Sequence, residues 1–580
     1  MRRRSWQEIA LYLLATALLV LAAFHLSNTI STVARFTLND AFQDQLRLNF
    51  RYLTVPFPLS IFELENGHRP VLPGLIRWLE LNYFAGAVTL QFATAWISAA
   101  VAVGLLFVRC WSALDWPHRL MLLCVVATTI FWNANARMFI HAYEATHVFY
   151  IFVWLVVALF AVSGEGEVTI PRVALACSAA ALATFSFGPG IVVYGAVAVA
   201  LVLRRASWKA LAAVVVVALV VVAVYSFGLP GADGVRASSG AISLVQTSYF
   251  VVARMAAYWV ELCGFSFASD SWPRGVVVTV STLGITLTAL HVLRAWRTRE
   301  NFSPAMLMGL GIMVFGVVTN ALIAVNRTSY FQANPPELFA DRYLFWSTLV
   351  WLGLAIYWLS LPQRSRFFSL FIALIIVAES ALAFGQANWW RSWASSTYRV
   401  VELTSVALKL NIPHDHRLQE MFGPDFTNTY AEIDVIRKAR VSTFAREPGP
   451  WLGRTLVLPV PKTETPIAVS TDTRDLPKDS LWEILGGATV PRIDAHRLSG
   501  WQFWVTDESG KVIGMCAKTG LRSQAGDYSR YFKPVYNQFD CYVERGHDDK
   551  LTLIATNGET AKSVMKLAPV VRDKAFIPGK

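Results

Sequence analysis

Residues 27–53, SNTISTVARFTLNDAFQDQLRLNFRYL, and residues 62–84, FELENGHRPVLPGLIRWLELNYF, make up most of a polar, aromatic, charge-rich loop, residues 28–82, between the first two apolar runs of the chain. Neighbouring membrane spans can be joined by a few residues, so a connection this long needs another purpose. The sequence predicts a platform at the membrane surface, and Asp40 is its first candidate for chemistry.

Outward from this loop the chain is apolar. It has 580 residues, of which 55% are hydrophobic and 16% charged, with a mean hydropathy of +0.45. That excludes an ordinary soluble multidomain protein. Runs such as IALYLLATALLVLAAF (9–24), VFYIFVWLVVALFAV (148–162) and FFSLFIALIIVAESALAF (367–384) approach the length that crosses a hydrocarbon core of about 30 Å. The first run follows MRRRSW, is longer than a signal-peptide core and has no convincing cleavage site, so it reads as a span. A net charge of +12 would suggest nucleic acid in a soluble protein. Here much of the basic charge sits in short connections, where it sets orientation, and no nucleic-acid partner is expected.

At about 20 residues per crossing the sequence predicts about eleven spans. They lie near 8–27, 84–108, 118–133, 147–163, 172–187, 189–203, 209–228, 275–294, 304–325, 343–361 and 367–386. Alternate connections carry Arg109 with Arg119, Arg172, Arg204 with Arg205 and Lys209, Arg294 with Arg297 and Arg299, and Arg364 with Arg366. The expectation is therefore a multi-pass protein of a bacterial inner membrane with a cytoplasmic N-terminus. Loop 28–82, segments 134–146, 229–274 and 326–341, and the C-terminal part then face the periplasm. The apolar stretch SYFVVARMAAYWVELCGFSF (248–267) is interrupted by Arg254 and Glu261, and counting it as a span would reverse the parity, so it reads as an interfacial or re-entrant helix.

Beyond Trp389 and Trp390 the composition changes, which predicts a membrane domain over 1–395 and a soluble domain over 396–580. The second domain contains the strand-like runs RTLVLPV, GWQFWVTD, VIGMCAKT, QFDCYVER and LTLIATNG, with DESGK (507–511) as a hairpin turn. The expected fold class is thus a polytopic α-helical membrane protein with a C-terminal, mainly β domain, a β-sandwich or jelly roll. Cys516 and Cys541, both in strand-like runs of an exported domain, are candidates for a disulfide. Cys110, Cys124, Cys177 and Cys263 lack metal-type spacing and read as apolar packing.

In the first loop, Phe42, Leu46, Phe50 and Leu53 recur at helical spacing, and a second helix is expected from Pro70 to Leu81. Asp40-Ala41-Phe42-Gln43 matches a helix-capping box. The same carboxylate, just past the first span, suits a general base for an acceptor hydroxyl or amine. FELENGHR supplies Glu63, Glu65 and His68, which are either solvated charges or ligands, and Arg69, suited to holding an anion. NANARMFIHAYEATH (133–147) supplies Arg137, His141, Glu144 and His147; the last three fall on adjoining helical faces, which makes a divalent metal site an alternative there. NRTSYFQANPPELFADRY (326–343) carries Arg327 and Arg342 with Tyr330 and Tyr343 as neighbours. These arginines either anchor headgroups or neutralise the phosphate of a lipid-linked substrate, unless Asp341 pairs with one of them as a structural latch. No Walker loop, GxSxG elbow, HExxH or dinucleotide fingerprint stands out in a suitable context, which argues against a nucleotide-driven pump. SFGPG (186–190) reads as a break between two spans.

This layout resembles the GT-C superfamily of integral membrane glycosyltransferases, which includes the protein O-mannosyltransferases and the lipid A aminoarabinose transferases. The resemblance implies a catalytic acidic residue near the start of the first external loop, which by position is Asp40. It also implies an outward arginine on the donor phosphate, Arg327 or Arg342. The acidic pair often seen in those families is Asn39-Asp40 here, which weakens a metal-dependent version, and no cofactor is called for with certainty. The expected activity is inverting transfer of a sugar from a polyprenyl-phosphate donor to a glycan, lipid or protein acceptor on the periplasmic face. Trp501 and Trp504 would be sugar-stacking candidates in the C-terminal domain. The competing expectations are a polysaccharide polymerase or ligase, a non-enzymatic transporter or flippase of lipid-linked sugar, which should show internal repeats, and an exported binding scaffold.

Overall fold

A backbone that crosses hydrocarbon has to satisfy its own hydrogen bonds, and the apolar runs do so as helices. The computed structural model describes residues 6–229, 244–266, 271–362, 366–412, 415–422, 429–445, 452–456, 470–472, 481–490, 502–518, 537–546, 550–556 and 561–567. Its helices are α1 (Trp6–Phe36), α2 (Gln45–Thr54), α3 (Leu59–Phe62), α4 (Val71–Tyr83), α5 (Thr89–Trp111), α6 (Trp116–Thr129), α7 (Ala136–Ile140), α8 (Ala142–Ser163), α9 (Ile170–Thr184), α10 (Val192–Leu203), α11 (Trp208–Ser226), α12 (Leu244–Leu262), α13 (Ser271–Arg297), α14 (Pro304–Asn326), α15 (Thr328–Ala333), α16 (Leu344–Leu359), α17 (Arg366–Lys409), α18 (Asp415–Phe422) and α19 (Thr429–Ala439). Each of the eleven expected spans falls on one of them. Among the described residues eight helical stretches are long and apolar enough to cross a membrane, one of them running from Trp116 to Ile140 through α6 and α7, and α9, α10 and α16 are shorter. The chain is a multi-pass membrane protein. Local sequence starts several helices: Asp115 accepts from the His118 amide at the head of α6, and Ser303 caps α14 just before Pro304.

The chain divides into two compact units. The first comprises residues 1–33, 58–76 and 91–390, and the second 34–57, 77–90 and 391–580. Cutting the sequence at 395 leaves the whole first loop with the membrane part. In the structure residues 34–57 and 77–90 group with C-terminal residues instead: α2 lies against α19, and the Ser442 amide donates to the Ala85 carbonyl at 2.7 Å.

In the first unit α14 and α16 are in intimate contact along small residues, Gly309, Gly316 and Gly353. α12 packs against α13, α14 and α16. Its two charges, Arg254 and Glu261, are buried in protein, which departs from an interfacial helix turning them to water and leaves the re-entrant alternative open. The expected outward segment 134–146 is also buried, folded as a short 3₁₀ turn, α7 and the start of α8.

In the second unit α2 starts at Gln45, five residues later than expected, because Gln43 sits in the left-handed region at φ 52°. Its buried residues are Gln45, Leu46, Leu48, Asn49 and Tyr52; of the apolar stripe read from Phe42, Leu46, Phe50 and Leu53, the first two are buried, Phe50 is half-buried and Leu53 is exposed. The described strands are β1 (Ser470–Asp472), β2 (Trp482–Val490), β3 (Gln502–Thr506), β4 (Val512–Lys518), β5 (Asn537–Glu544), β6 (Thr552–Thr556) and β7 (Ala561–Lys566). They form one antiparallel sheet in the order β1-β2-β5-β4-β3-β6-β7, not the two packed sheets of a sandwich. Alternation sends Ile484, Trp504, Met515, Tyr542 and Ile554 to one face, where Leu403, Val406 and Ala407 of α17 cover them. The opposite face gathers Leu485, Phe503, Val505, Phe539, Val543 and Leu553. Cys516 and Cys541 stand opposite each other in β4 and β5 and form a disulfide. The 507–511 hairpin also forms, with Gly510 at φ 82° and the Asp507 carboxylate accepting from the amides of Ser509 and Lys511. Trp504 is fully buried in the core and cannot stack on sugar; Trp501 lies outside the described residues.

Candidate functional site

Charged residues from three separate stretches of the first unit gather around the ends of its helices. The first is the turn Glu65-Asn66-Gly67-His68. Asn66 and Gly67 both have positive φ, 50° and 76°, and Glu65 and His68 exchange both backbone hydrogen bonds at 2.8 Å. This is the two-residue hairpin turn that an Asn-Gly pair favours, a signal carried by the sequence itself. The turn turns Glu65 inward to His147 of α8, with Oε1 3.3 Å from Nε2. Phe187, from the break between α9 and α10, stacks on His147 with ring centroids 4.5 Å apart and meets His68 edge-on at 4.4 Å. Gly188 lets His68 lie against the backbone, since a Cβ there would sit 2.5 Å from the imidazole. The SFGPG segment is therefore a wall of this cluster as well as a break. Burial, and then the charge of Arg327, push the His68 imidazole down to about 4.

The second stretch is 133–147. Arg137 donates to Glu144 at 3.3 Å and to Asp341 at 3.4 Å. His141 is buried and stacked on Tyr143, and His147 is held by Glu65. His141, Glu144 and His147 thus turn to three different partners, and no group of three metal-type ligands forms among the described residues, so the metal alternative finds no support here. Arg69 is likewise committed elsewhere: its guanidinium donates to the carbonyls of Phe227 at 2.7 Å and Val224 at 3.5 Å, capping the end of α11. The guanidinium that the sequence offers for holding an anion is thus engaged by backbone carbonyls. Glu63 is exposed at the end of α3.

The third stretch, 327–343, carries the cations. Arg342 binds Glu337 and donates to the Tyr330 hydroxyl at 3.1 Å. Its guanidinium lies 5.1 Å from the Tyr343 ring, and that of Arg327 lies 5.5 Å from the same ring. Arg327 is exposed and has no ion-pair partner among the described residues. Asp341 accepts from the Arg342 backbone amide at 2.7 Å as well as from Arg137. A third guanidinium, that of buried Arg254, lies 5.2 Å from Tyr343. The sequence shows Arg254 only as an interruption in an apolar run. Three guanidiniums thus surround one phenol ring, and one of them, that of Arg342, is paired with Glu337.

Asp40 belongs to the second unit. It does not cap α2, whose N-cap is Asp44. Its Oδ2 accepts from the Ser405 hydroxyl of α17 at 2.6 Å, and Ser405 in turn lies 3.3 Å from the Thr443 hydroxyl. The carboxylate is half-buried and held in one orientation, as an acid–base group requires. Nothing local in the sequence signals Ser405, which is 365 residues away.

No family model matches the chain, and no protein of curated function matches it. Among solved structures it is similar to the archaeal oligosaccharyltransferase AglB from Archaeoglobus fulgidus, solved in complex with an inhibitory peptide and a dolichol-phosphate. The similarity has a TM-score of 0.34 and 12% sequence identity, over 72% of this chain and 60% of that one. This chain therefore spans less than two thirds of that protein's length, and a likeness of this size carries no argument about activity.

Proposed function

We propose that the chain is a GT-C-type membrane glycosyltransferase that moves a sugar from a polyprenyl-phosphate donor to a glycan, lipid or protein acceptor on the periplasmic face of a bacterial inner membrane. The observation that carries this reading is the convergence of Arg327 and Arg342 on Tyr343, with Arg327 lacking an ion-pair partner among the described residues. In this reading the two guanidiniums take the donor phosphate. As the bond between the sugar's anomeric carbon and the phosphate oxygen breaks, the negative charge grows on the departing lipid phosphate, and fixed cations stabilise it. Asp40, held by Ser405, takes the proton from the attacking acceptor hydroxyl or amine.

The test is transfer by the purified full-length protein in lipid, with radiolabelled polyprenyl-phosphate sugars and crude envelope acceptor. Asp40→Asn is expected to abolish transfer while donor binding persists, and Arg327→Ala with Arg342→Ala to abolish donor binding. Equal transfer by wild type and Asp40→Asn would remove the base. No transfer from any donor by the wild type would refute the enzyme reading in favour of transport.

A further inference from the structure

Arg254 is fully buried in α12, and its charge is balanced by no carboxylate among the described residues. Burying an ion without a counter-charge is expensive, so a neutral residue of similar size would be the default for packing alone. What the guanidinium has instead is a set of neutral acceptors. It donates to the Leu338 carbonyl at 2.6 Å, the Tyr343 carbonyl at 2.6 Å and the Asn320 side-chain oxygen at 3.3 Å. Asn320 is itself fixed to α14 by a bond to the Gly316 carbonyl at 2.8 Å.

Leu338 and Tyr343 bracket Asp341 and Arg342. The intervening backbone consists of two short 3₁₀ turns, Pro335–Phe339 and Asp341–Tyr343, with little hydrogen bonding of its own to hold a conformation. A planar fork that reaches both ends of the stretch at once sets its shape in a way a single-point donor would not.

We propose that Arg254 is a positioning residue for the donor-phosphate site: it clamps residues 338–343 so that Arg342 and Tyr343 meet Arg327, and its own fixed charge adds to the field that an anionic headgroup meets. The inference rests on the reading of Arg327 and Arg342 given above, and it goes beyond that reading by assigning a role to a residue that touches no substrate.

The experiment uses the full-length protein in lipid nanodiscs, with polyprenyl phosphate as the probe and the corresponding polyprenol as control. Amide hydrogen exchange over 338–343 is read in parallel. Arg254→Met, which keeps the volume, is expected to raise exchange in that segment and to weaken polyprenyl-phosphate binding about tenfold or more, with polyprenol binding unchanged. Arg254→Lys keeps the charge but loses the fork, and is expected to fall between the two; it carries the test if the methionine variant fails to fold. In the transfer assay the donor KM should rise by more than kcat falls. Unchanged exchange at 338–343 overturns the clamp whatever the lipid result. Raised exchange with wild-type affinity overturns the link to the site. If the wild type does not distinguish phosphate from alcohol, the donor-site reading itself fails, a result separable from either of the first two.

Discussion

Replacing Gly353 with alanine is expected to push α14 and α16 apart. A Cβ at Gly353 would lie 2.4 Å from the Gly309 carbonyl oxygen and 2.4 Å from the Met313 amide nitrogen, whereas ordinary contact begins at 3.4 Å. Both neighbours are backbone atoms, which cannot rotate away, so the helices must separate by about 1 Å at the crossing. Overpacking of this kind costs about 1–3 kcal/mol. Alanine is also the better helix former by about 1 kcal/mol, which hides part of that cost in the single variant. Gly195, Gly104 and Gly284 lie in helices and have nothing within 4 Å of the added Cβ, so alanine there isolates the propensity gain. The difference in unfolding free energy between Gly353→Ala and Gly195→Ala should therefore be about 1–3 kcal/mol, by thermal or denaturant unfolding in one detergent followed by near-UV circular dichroism. The same helix pair carries the two arginines, since Arg327 ends α14 and Arg342 lies just before α16. Donor binding should fall in Gly353→Ala and not in Gly195→Ala. If the two variants unfold alike, the close approach of these helices is wrong, and with it the account of what spaces the two arginines.

Other consequences are open to direct measurement. His68 has its imidazole held at about 4 against an ordinary 6.5, so the folded state resists protonation. Its contribution to stability is complete above about pH 6.5 and is lost as the pH falls toward 4; His68→Gln should flatten that part of the stability profile, and an unchanged profile would refute the assignment. Replacing Cys516 and Cys541 with serine opens a loop with a sequence separation of 25 and should destabilise the C-terminal unit by about 3 kcal/mol, read as its unfolding under non-reducing conditions. Ser405→Ala removes the hydrogen bond that orients Asp40 and should slow sugar transfer about tenfold with donor binding intact; equal rates would detach Ser405 from the reaction. Arg69→Ala should expose the end of α11 and raise amide exchange near Phe227, with no loss of donor affinity.

The helices were legible because an apolar run in lipid has few other choices, and the alternation of Phe503, Trp504 and Val505 marked a strand without help from tertiary structure. What failed to show was whatever depends on distant partners. The strands were readable but their arrangement was not: α17 residues cover one face of the sheet, and nothing in GWQFWVTD announces a helix roughly 100 residues upstream. The capping box at Asp40 matched the local pattern, yet Gln43 adopts positive φ and its amide donates to the Met421 carbonyl, a contact no window around residue 40 contains. The three arginines divide the same way. Arg327 and Arg342 stood out because they sit beside tyrosines in a polar loop, while Arg254 was hidden in an apolar helix whose acceptors lie 84 and 89 residues away.

The outward charges now separate by what they are committed to. Asp341 was open to pairing with Arg327 or Arg342 as a latch; it pairs instead with Arg137, which also holds Glu144, so in that part of the cluster one guanidinium serves two carboxylates. Arg69 is bound to helix-end carbonyls and Glu65 to His147. Arg342 is half-matched by Glu337, at a position where both side chains remain about one third exposed and exchange with a ligand anion is sterically open. Arg327 is matched by aromatic faces alone among the described residues. A structural latch would leave no cation over, because an unmatched guanidinium contributes little to holding loops together and repels its neighbours. A phosphate site requires such a surplus. On the function proposed above, the phosphate takes up the cation left over at Arg327, whose charge also acts on the His68 imidazole, and a ligand anion there would meet two guanidiniums without displacing the Arg137 network.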